Sequence, residues 1–253
     1  MTYYDDLIND NKRVESFKKA IDRLSHGVVY DLGTGSGILA QFASNNAIKV
    51  FAIEQNPFIL KHTKENFSEN KNIKLIETDA TQYVFTEKPD VIICEMLDTA
   101  LIDEEQVPVI NNAHKYSTDS TIFIPKAVYT TVQLISTNIN HITYYEDNLP
   151  KYESLSDELK YQRVNFSELI NETVEKNIKI TTTNSGKINA IKLTTYTIIT
   201  DDIILEPTPM LNPPLLIPVD EIDVTAGEKI IININYVMGG GLNNIQANIR
   251  RLK

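Results

Sequence analysis

A glycine-rich turn between a predicted strand and a predicted helix is the part of the sequence best suited to bind a ligand. The apolar run Val28–Leu32 leads into a G-x-G-x-G turn that contains Gly33 and Gly35, and glycine permits a close ligand approach that a Cβ atom would block. Asp31 lies just before this turn, where its charge suits an ammonium group and would repel a pyrophosphate. Glu54 ends the next apolar run, where an acid can accept hydrogen bonds from both hydroxyls of a ribose. These residues together favour an amino-acid nucleoside as the ligand.

This arrangement resembles the class I S-adenosylmethionine-dependent methyltransferases. The resemblance implies S-adenosyl-L-methionine as the cofactor, bound by the four residues named above. It also places Asp79 and Ala80, which follow the predicted strand Ile73–Glu77, beside the adenine. The alternative interpretation is a tight strand-to-helix turn without a ligand, because the glycine spacing alone is common.

A fourth apolar run, residues 90–94, delivers Glu95 at the end of its strand, where an acceptor substrate would meet the donated methyl group. Methyltransferases of this class that act on nucleobases or glutamine carry a Pro-Pro-aromatic segment here, and this sequence lacks it. Glu104 instead follows nine residues after Glu95. This spacing resembles the double-glutamate loop of the protein arginine methyltransferase family.

The resemblance to that family extends along most of the chain. Arg13 is similar to the arginine that binds the cofactor carboxylate, and Tyr4 falls where an aromatic or histidine side chain covers the site. Residues 121–125 are similar to the junction, often a cis proline, at which the family's chain enters a β-barrel. Residues 224–228 resemble a late segment of that barrel.

The family's chemistry implies that Glu95 and Glu104 hold a guanidinium group. A guanidinium stays charged in proteins, so its nitrogens are poor nucleophiles until the charge is held to one side and one nitrogen is aimed at the methyl group. Two carboxylates do this through bidentate, charge-assisted hydrogen bonds, without a strong base. Repulsion between them should raise the pKa of the pair in the empty site. The alternative for Glu104 is a solvent-exposed helix start, because it lies in the acidic run 103–105.

Three features depart from the family pattern. Residues 207–214 lack the Thr-His-Trp segment that lines the arginine entrance, Asp98 stands where the double-glutamate loop usually has a glycine, and the second half of the chain is short. The wall of the substrate site is therefore altered. Such a wall could admit another protein side chain, a free small molecule or an unusual arginine of a specific partner.

Alternating helix and strand patterns must position these residues. Residues 1–124 predict an N-terminal helix and a doubly wound, Rossmann-like α/β sheet that binds S-adenosylmethionine. Residues 125–253 are rich in β-branched side chains and predict a smaller antiparallel or β-barrel-like substrate domain. An insertion at about residues 144–176 contains two helix-like stretches. Related enzymes carry a helical arm there that docks on a second subunit, so a homodimer is expected.

Composition and charge exclude several classes of protein. The chain has 253 residues, 42% hydrophobic and 23% charged, unlike collagenous, disordered or disulfide-rich proteins. Its net charge of −10 opposes binding to a nucleic-acid backbone. The single Cys94 and four scattered histidines predict no disulfide and no metal site. Without an apolar run of membrane-spanning length or a secretory signal in its first residues, the chain is predicted to be cytoplasmic, with no membrane partner.

The sequence therefore predicts a methyltransferase that acts on a protein side-chain nitrogen, with the arginine guanidinium favoured. One alternative is an RNA or small-molecule methyltransferase on the same fold. That reading needs a substrate surface which the net charge and the missing Pro-Pro-aromatic segment do not supply. The other alternative is a non-catalytic, cofactor-binding regulatory protein, against which the intact Gly33, Gly35, Glu54 and Glu95 argue.

Overall fold

The computed structural model describes residues 9–67, 70–145 and 151–252. Five strands run parallel and form the first sheet: β1 (Val28–Leu32), β2 (Lys49–Glu54), β3 (Ile73–Glu77), β4 (Val91–Cys94) and β5 (Ile122–Ile124). They lie in the order β3-β2-β1-β4-β5, so the direction of winding reverses between β1 and β4. The predicted doubly wound, Rossmann-like sheet is confirmed. Ligands bind such sheets at this switch point, beyond the carboxyl ends of the strands.

Among the described residues, the α-helices that accompany this sheet are α1 (Asn11–Leu24), α2 (Ile38–Ser44), α3 (Pro57–Asn66) and α4 (Gln106–His114). Helix α1 begins after Asp10, whose carboxylate caps it by accepting a hydrogen bond from the backbone N–H of Arg13. Its buried face carries Arg13, Phe17, Ala20 and Ile21. Spacings of three and four residues place these side chains on one side of the helix, as in an amphipathic helix. Arg13 therefore points into the protein although it is charged. In the described part of the chain, no helix combines the length and the apolar character that crossing a bilayer demands.

The ends of three neighbouring strands bring the predicted acids together. Strand β4 is buried along its whole length, because a parallel sheet with helices on both faces needs apolar residues on both faces. Leu32 of β1 pairs with Cys94 of β4, so Glu95 follows directly beside the end of β1. Asp31 and Glu54 lie at the same edge, since β1 pairs with β2 in register on its other side.

After β5, a cis peptide bond joins Ile124 to Pro125, and the strands that follow are antiparallel. They are β6 (Ala127–Ser136), β7 (Thr143–Tyr144), β8 (Glu153–Ser154), β9 (Leu159–Asn165), β10 (Thr173–Thr181), β11 (Gly186–Thr200), β12 (Ile203–Leu205), β13 (Leu215–Val224), β14 (Lys229–Val237) and β15 (Gln246–Arg251). One sheet has the order β7-β13-β11-β6-β8, with β12 on β11 and β9 on β6; a second has the order β10-β14-β15. The predicted antiparallel β region is confirmed, whereas the division at residues 124 and 125 stays a prediction.

The helices predicted within residues 144–176 are wrong for the described part of that stretch. Residues 151–176 contain β8, β9 and the first part of β10 instead, joined by turns and irregular segments. Strand β9 pairs with β6, and this long-range pairing overrides local helix preference. In β10 the buried residues Val174, Ile178 and Ile180 are separated by even numbers of residues, which is the period of a strand. Residues 146–150 of the insertion lie outside the described residues.

Candidate active site

A cavity of about 330 Å³ lies at the carboxyl ends of β1, β2 and β4. The site residues predicted from the sequence that line it are Arg13, Asp31, Gly33, Gly35, Glu54, Asp79, Ala80, Glu95 and Glu104. Tyr4 lies outside the described residues. The fold thus gathers predicted residues from distant parts of the chain around one space, and the role of each stays a prediction.

The glycine turn after β1 forms the floor of this cavity. The backbone N–H groups of Gly33 and Thr34 both donate to the carbonyl of Ile53, at 3.0 and 2.8 Å, which ties the turn to β2. Gly33 has a φ of 75°, and a Cβ there would lie 2.7 Å from the side chain of Met96. Gly37 has a φ of 82°, and a Cβ would collide with the ring of Phe67. The turn therefore needs glycine at position 37 as well, a requirement that the predicted set of site residues did not include.

Asp31 is a buried carboxylate at the cavity wall. Its Oδ2 accepts a hydrogen bond of 2.5 Å from the hydroxyl of Thr34. Burial raises the pKa of Asp31 to about 6, the Thr34 bond opposes this, and the charge of Glu54 adds to it. A buried acid of this kind is stabilised in its charged form by a cation, so the site suits an ammonium group.

Glu54, at the end of β2, is held by backbone N–H groups on both sides of its carboxylate. Its Oε2 accepts from Gly35 at 3.1 Å, and its Oε1 accepts from Asn56 at 2.8 Å. These bonds fix the carboxylate at the rim of the glycine turn. It lies beside the cavity, where a ribose diol could donate to it.

Asp79 and Ala80 follow β3 in a tight turn. The carboxylate of Asp79 accepts from the backbone N–H of Thr81 at 2.8 Å and from the side-chain amide of Gln82 at 3.1 Å. The carbonyl of Ala80 accepts from the buried side-chain amide of Asn112, in α4, at 3.0 Å. Asp79 thus shapes its own turn, and Asn112 holds that turn in place. No pattern in the sequence marks Asn112, because its contacts are distant along the chain.

Glu95 forms an ion pair with Arg13. The Arg13 Nη1 atom lies 2.5 Å from Glu95 Oε2, and the two side chains are only 3% and 13% exposed. Burial raises the pKa of Glu95 to about 7. Arg13 opposes this rise, whereas the charges of Asp31, Asp10 and Glu104 add to it. The pair shows that Arg13 reaches the end of β4 from helix α1.

Glu104 lies on the loop between β4 and α4 and lines the same cavity. Its side chain is exposed to solvent. The pKa of Glu104 is raised, first by partial desolvation in the cavity wall and then by the charges of Asp103 and Glu105. The pKa of both glutamates is raised, as expected, and repulsion within the pair is a minor cause. Desolvation is the largest cause for both residues, and the charge of Glu104 raises the pKa of Glu95 less than the charges of Asp31 and Asp10 do.

Gln106 fixes the backbone on both sides of Glu95. Its fully buried amide donates through Nε2 to the carbonyl of Cys94 and accepts through Oε1 from the N–H of Met96, each at 2.8 Å. A polar group buried so completely is stable only with such partners. Gln106 is not among the predicted site residues, because a glutamine beside an acidic run carries no spacing signal.

The segment that lacks the Thr-His-Trp sequence lies against helix α1. The hydroxyl of Thr208 donates to the second carboxylate oxygen of Asp10, and Lys12 pairs with Glu206 at 3.3 Å. Met210 lines the cavity. The segment therefore contributes the flexible thioether of Met210 to the cavity wall, and the hydrogen bond from Thr208 to Asp10 attaches it to the start of α1.

The donor and acceptor groups fit S-adenosylmethionine better than a metal ion. The cavity is lined by a buried acid, by a second acid held at the rim of the glycine turn, and by the turn itself, in which a Cβ atom at Gly33 would collide with Met96. An amino-acid nucleoside would fit such a set of groups. Within the residues that the structure describes, no cluster of three or more histidine, cysteine, aspartate or glutamate side chains is arranged to hold a metal.

Comparisons with known proteins agree with this geometry. Residues 14–131 match the family model described as ribosomal protein L11 methyltransferase (PrmA). Over 249 residues, the chain is 41% identical to an uncharacterized protein of Methanothermobacter thermautotrophicus, covering 98% of this chain and 97% of that protein. It is 27% identical over 133 residues to protein arginine N-methyltransferase 7 of Gallus gallus, covering 45% of this chain and 19% of that protein.

A solved structure shares the fold across nearly the whole chain. It is the Trypanosoma brucei PRMT1 enzyme-prozyme heterotetrameric complex with AdoHcy, which superposes with a TM-score of 0.79 at 17% identity. The match covers 97% of this chain and 92% of that chain. The parallel sheet and the antiparallel region are therefore found together, in the same arrangement, in a protein of very different sequence.

Proposed function

Because the chain belongs to the class I S-adenosylmethionine-dependent methyltransferases related to the protein arginine methyltransferases, we propose that it methylates a protein side-chain nitrogen, the guanidinium of arginine. One observation carries this proposal: Glu95 and Glu104 line the same cavity as the residues suited to the cofactor. A flat cation placed between them would have acidic groups on two sides.

We assign each part of the cofactor to different residues around the cavity. In our proposal Asp31 binds its ammonium group, Arg13 its carboxylate, Glu54 its ribose, and the turn at Asp79 and Ala80 its adenine. Gly33 and Gly35 allow the close approach. The bound cofactor supplies a methyl group on a positively charged sulfur, which is the electrophile of the reaction.

The chain's own groups then orient the nucleophile. Arg13 holds Oε2 of Glu95, so we assign the Oε1 atom to the substrate guanidinium. Glu104 accepts from the guanidinium on its other side, and together the two carboxylates draw the positive charge away from the nitrogen that attacks. That nitrogen gains a bond to the methyl carbon as the sulfur–methyl bond breaks. Its proton leaves late, to a carboxylate of the pair and then to water, so no strong base is needed.

Cofactor binding should weaken in acid because of Asp31. The pKa of Asp31 is raised to about 6 in the free protein, and a cationic ammonium binds only the deprotonated form. We therefore expect the Kd to rise about tenfold for each pH unit below 6 and to level off above it. Calorimetry in buffers of different ionisation enthalpy should show proton release on binding near pH 6.

The control for this effect is Asp31→Asn, in which the Kd should be higher and its dependence on pH lost. A wild-type Kd that stays constant from pH 5 to pH 8, or that falls in acid, would contradict the assignment of Asp31 to the ammonium group.

Label transfer to an extract tests the proposed function. The protein is incubated with a methyl-labelled donor and a cell extract, and the product is divided between protease, nuclease and filtration. Label released by protease and recovered in methylated arginine is expected. Label released by nuclease would favour the RNA alternative, and label that passes the filter would favour the small-molecule alternative. A protein that binds the cofactor but transfers no label would be a regulatory protein.

We also propose that the chain forms a homodimer; the support is that the trypanosomal protein of the same fold is named as part of an oligomer, a heterotetramer. Sedimentation at micromolar concentration should give a dimer, and a species of monomer size alone would contradict it. The cytoplasmic location stays a prediction of the sequence.

A further inference from the structure

The loop that carries Glu104 has an unfavourable backbone. Ala100 and Leu101 have φ values of 61° and 59°, which place two consecutive non-glycine residues in the left-handed region. This region is unfavourable for a residue with a Cβ atom, which comes too close to the following carbonyl oxygen. Both side chains are buried, so solvent does not hold this conformation, and other contacts must do so.

Part of that support comes from the antiparallel region. The N–H of Ala100 donates to the hydroxyl of Thr195 at 2.8 Å, and the hydroxyl of Thr99 donates to the carbonyl of Pro213 at 2.7 Å. The carbonyl of Leu101 accepts from the N–H of Gly239 at 2.9 Å. These bonds fix the first half of the loop and do not reach Glu104.

In the second half of the loop, one carboxylate, that of Asp98, bonds three successive backbone N–H groups, while the carbonyl of Ile102 also accepts from the N–H of Gly241 at 2.9 Å. Asp98 Oδ2 accepts from the N–H groups of Ile102 at 3.1 Å and Asp103 at 3.0 Å, and its Oδ1 accepts from the N–H of Glu104 at 3.3 Å. The residue is only 5% exposed. A buried carboxylate with several backbone donors is a strong anchor, because each bond is charge-assisted. The last of these donors belongs to Glu104 itself.

A side chain from a distant strand also reaches this anchor. The hydroxyl of Tyr144, in β7, lies 3.4 Å from Asp98 Oδ2. Burial raises the pKa of Asp98 to about 7, and the three backbone N–H groups oppose that rise. Asp98 is the residue that departs from the glycine usual in the double-glutamate loop. Its carboxylate therefore makes contacts that a glycine could not make.

We propose that Asp98 is a positioning residue that fixes the place of Glu104 relative to the methyl-accepting group. The proposal rests on the proposed function of Glu104. Asp98 touches neither substrate nor cofactor in this account; it acts through the backbone of residues 102–104.

The test compares Asp98→Asn with wild type on a peptide that contains arginine. The amide keeps the shape of the carboxylate but replaces one acceptor oxygen with an NH₂ group, which faces a backbone N–H and cannot bond to it. We expect kcat/KM for the peptide to fall about thirtyfold, while the Kd for S-adenosylmethionine stays within about twofold. The control is Asp103→Asn, which removes an exposed aspartate of the same loop and should leave kcat/KM within about twofold.

Amide hydrogen exchange followed by NMR, without any substrate, separates this proposal from the proposed function. In Asp98→Asn the amides of Ile102, Asp103 and Glu104 should exchange faster, while that of Met96, which bonds to Gln106, should not change. Unchanged exchange at residues 102–104 would overturn the positioning role, whatever the activity. Unchanged kcat/KM in an enzyme active on arginine would overturn it as well. Faster exchange in a protein that does not methylate arginine would support the anchor and contradict the proposed function instead.

Discussion

Glu104→Gln is expected to lower kcat/KM for an arginine peptide by about a thousandfold while leaving the Kd for S-adenosylmethionine unchanged. Glutamine retains the shape of the side chain but removes the negative charge that draws the guanidinium's positive charge away from the attacking nitrogen. It also replaces one acceptor oxygen with a donor that faces the N–H groups of the substrate. Steady-state kinetics and calorimetry on the same preparation measure the two quantities.

The matched control is Glu105→Gln, which removes a charge from the neighbouring position of the same acidic run. Glu105 also lines the cavity, but in our account it does not bond to the guanidinium, so its loss should change kcat/KM by no more than about threefold. If both variants lost the same small amount of activity, Glu104 would be part of a solvent-exposed helix start, and the two-carboxylate mechanism would fail.

Arg13→Met is expected to lower the free energy of unfolding by about 1 kcal/mol more at pH 8 than at pH 5, because each pH unit above the wild-type pKa of the buried Glu95 costs the variant about 1.4 kcal/mol. The pKa of Glu95 is already raised to about 7 and rises further without Arg13, so at pH 5 the folded protein avoids the penalty by protonating this carboxyl. The penalty therefore appears as pH rises through 7. Urea denaturation at the two pH values measures it.

The double variant Arg13→Met with Glu95→Gln separates charge from packing. It removes both ionised partners, so at pH 8 it should be more stable than Arg13→Met alone, and its loss relative to wild type should depend little on pH. Equal stability of wild type and Arg13→Met at pH 8 would show that the buried pair does not stabilise the protein.

Local sequence patterns were sufficient to predict the parallel sheet and many of the residues that line the candidate site. Gly33, Asp31 and Glu54 sit at strand ends, and a parallel sheet brings such ends to one edge whatever the details of packing. The cavity-lining positions of Arg13 and Glu104 required the family resemblance, because a charged residue on a helix or in an acidic run is ordinarily exposed to solvent.

The groups that hold the site in place could not be predicted from the sequence. Gln106, Asn112 and Asp98 act through hydrogen bonds to backbone groups, which follow from the three-dimensional course of the loops and not from residue spacing. The two helix-like stretches within residues 144–176 could not be recognised as non-helical for a related reason. The strands found there, β9 and the start of β10, depend on pairing with segments far along the chain, which local helix preference does not reveal.

The most direct test of the central claim is mass spectrometry of a peptide with a single arginine after incubation with the protein and S-adenosylmethionine. We predict the addition of one or more methyl groups, located on the guanidinium by fragmentation, with the Glu104→Gln variant inactive under the same conditions. A protein that binds the cofactor and transfers its methyl group to RNA, to a small molecule or to another side chain, with Glu104→Gln as active as wild type, would contradict the claim.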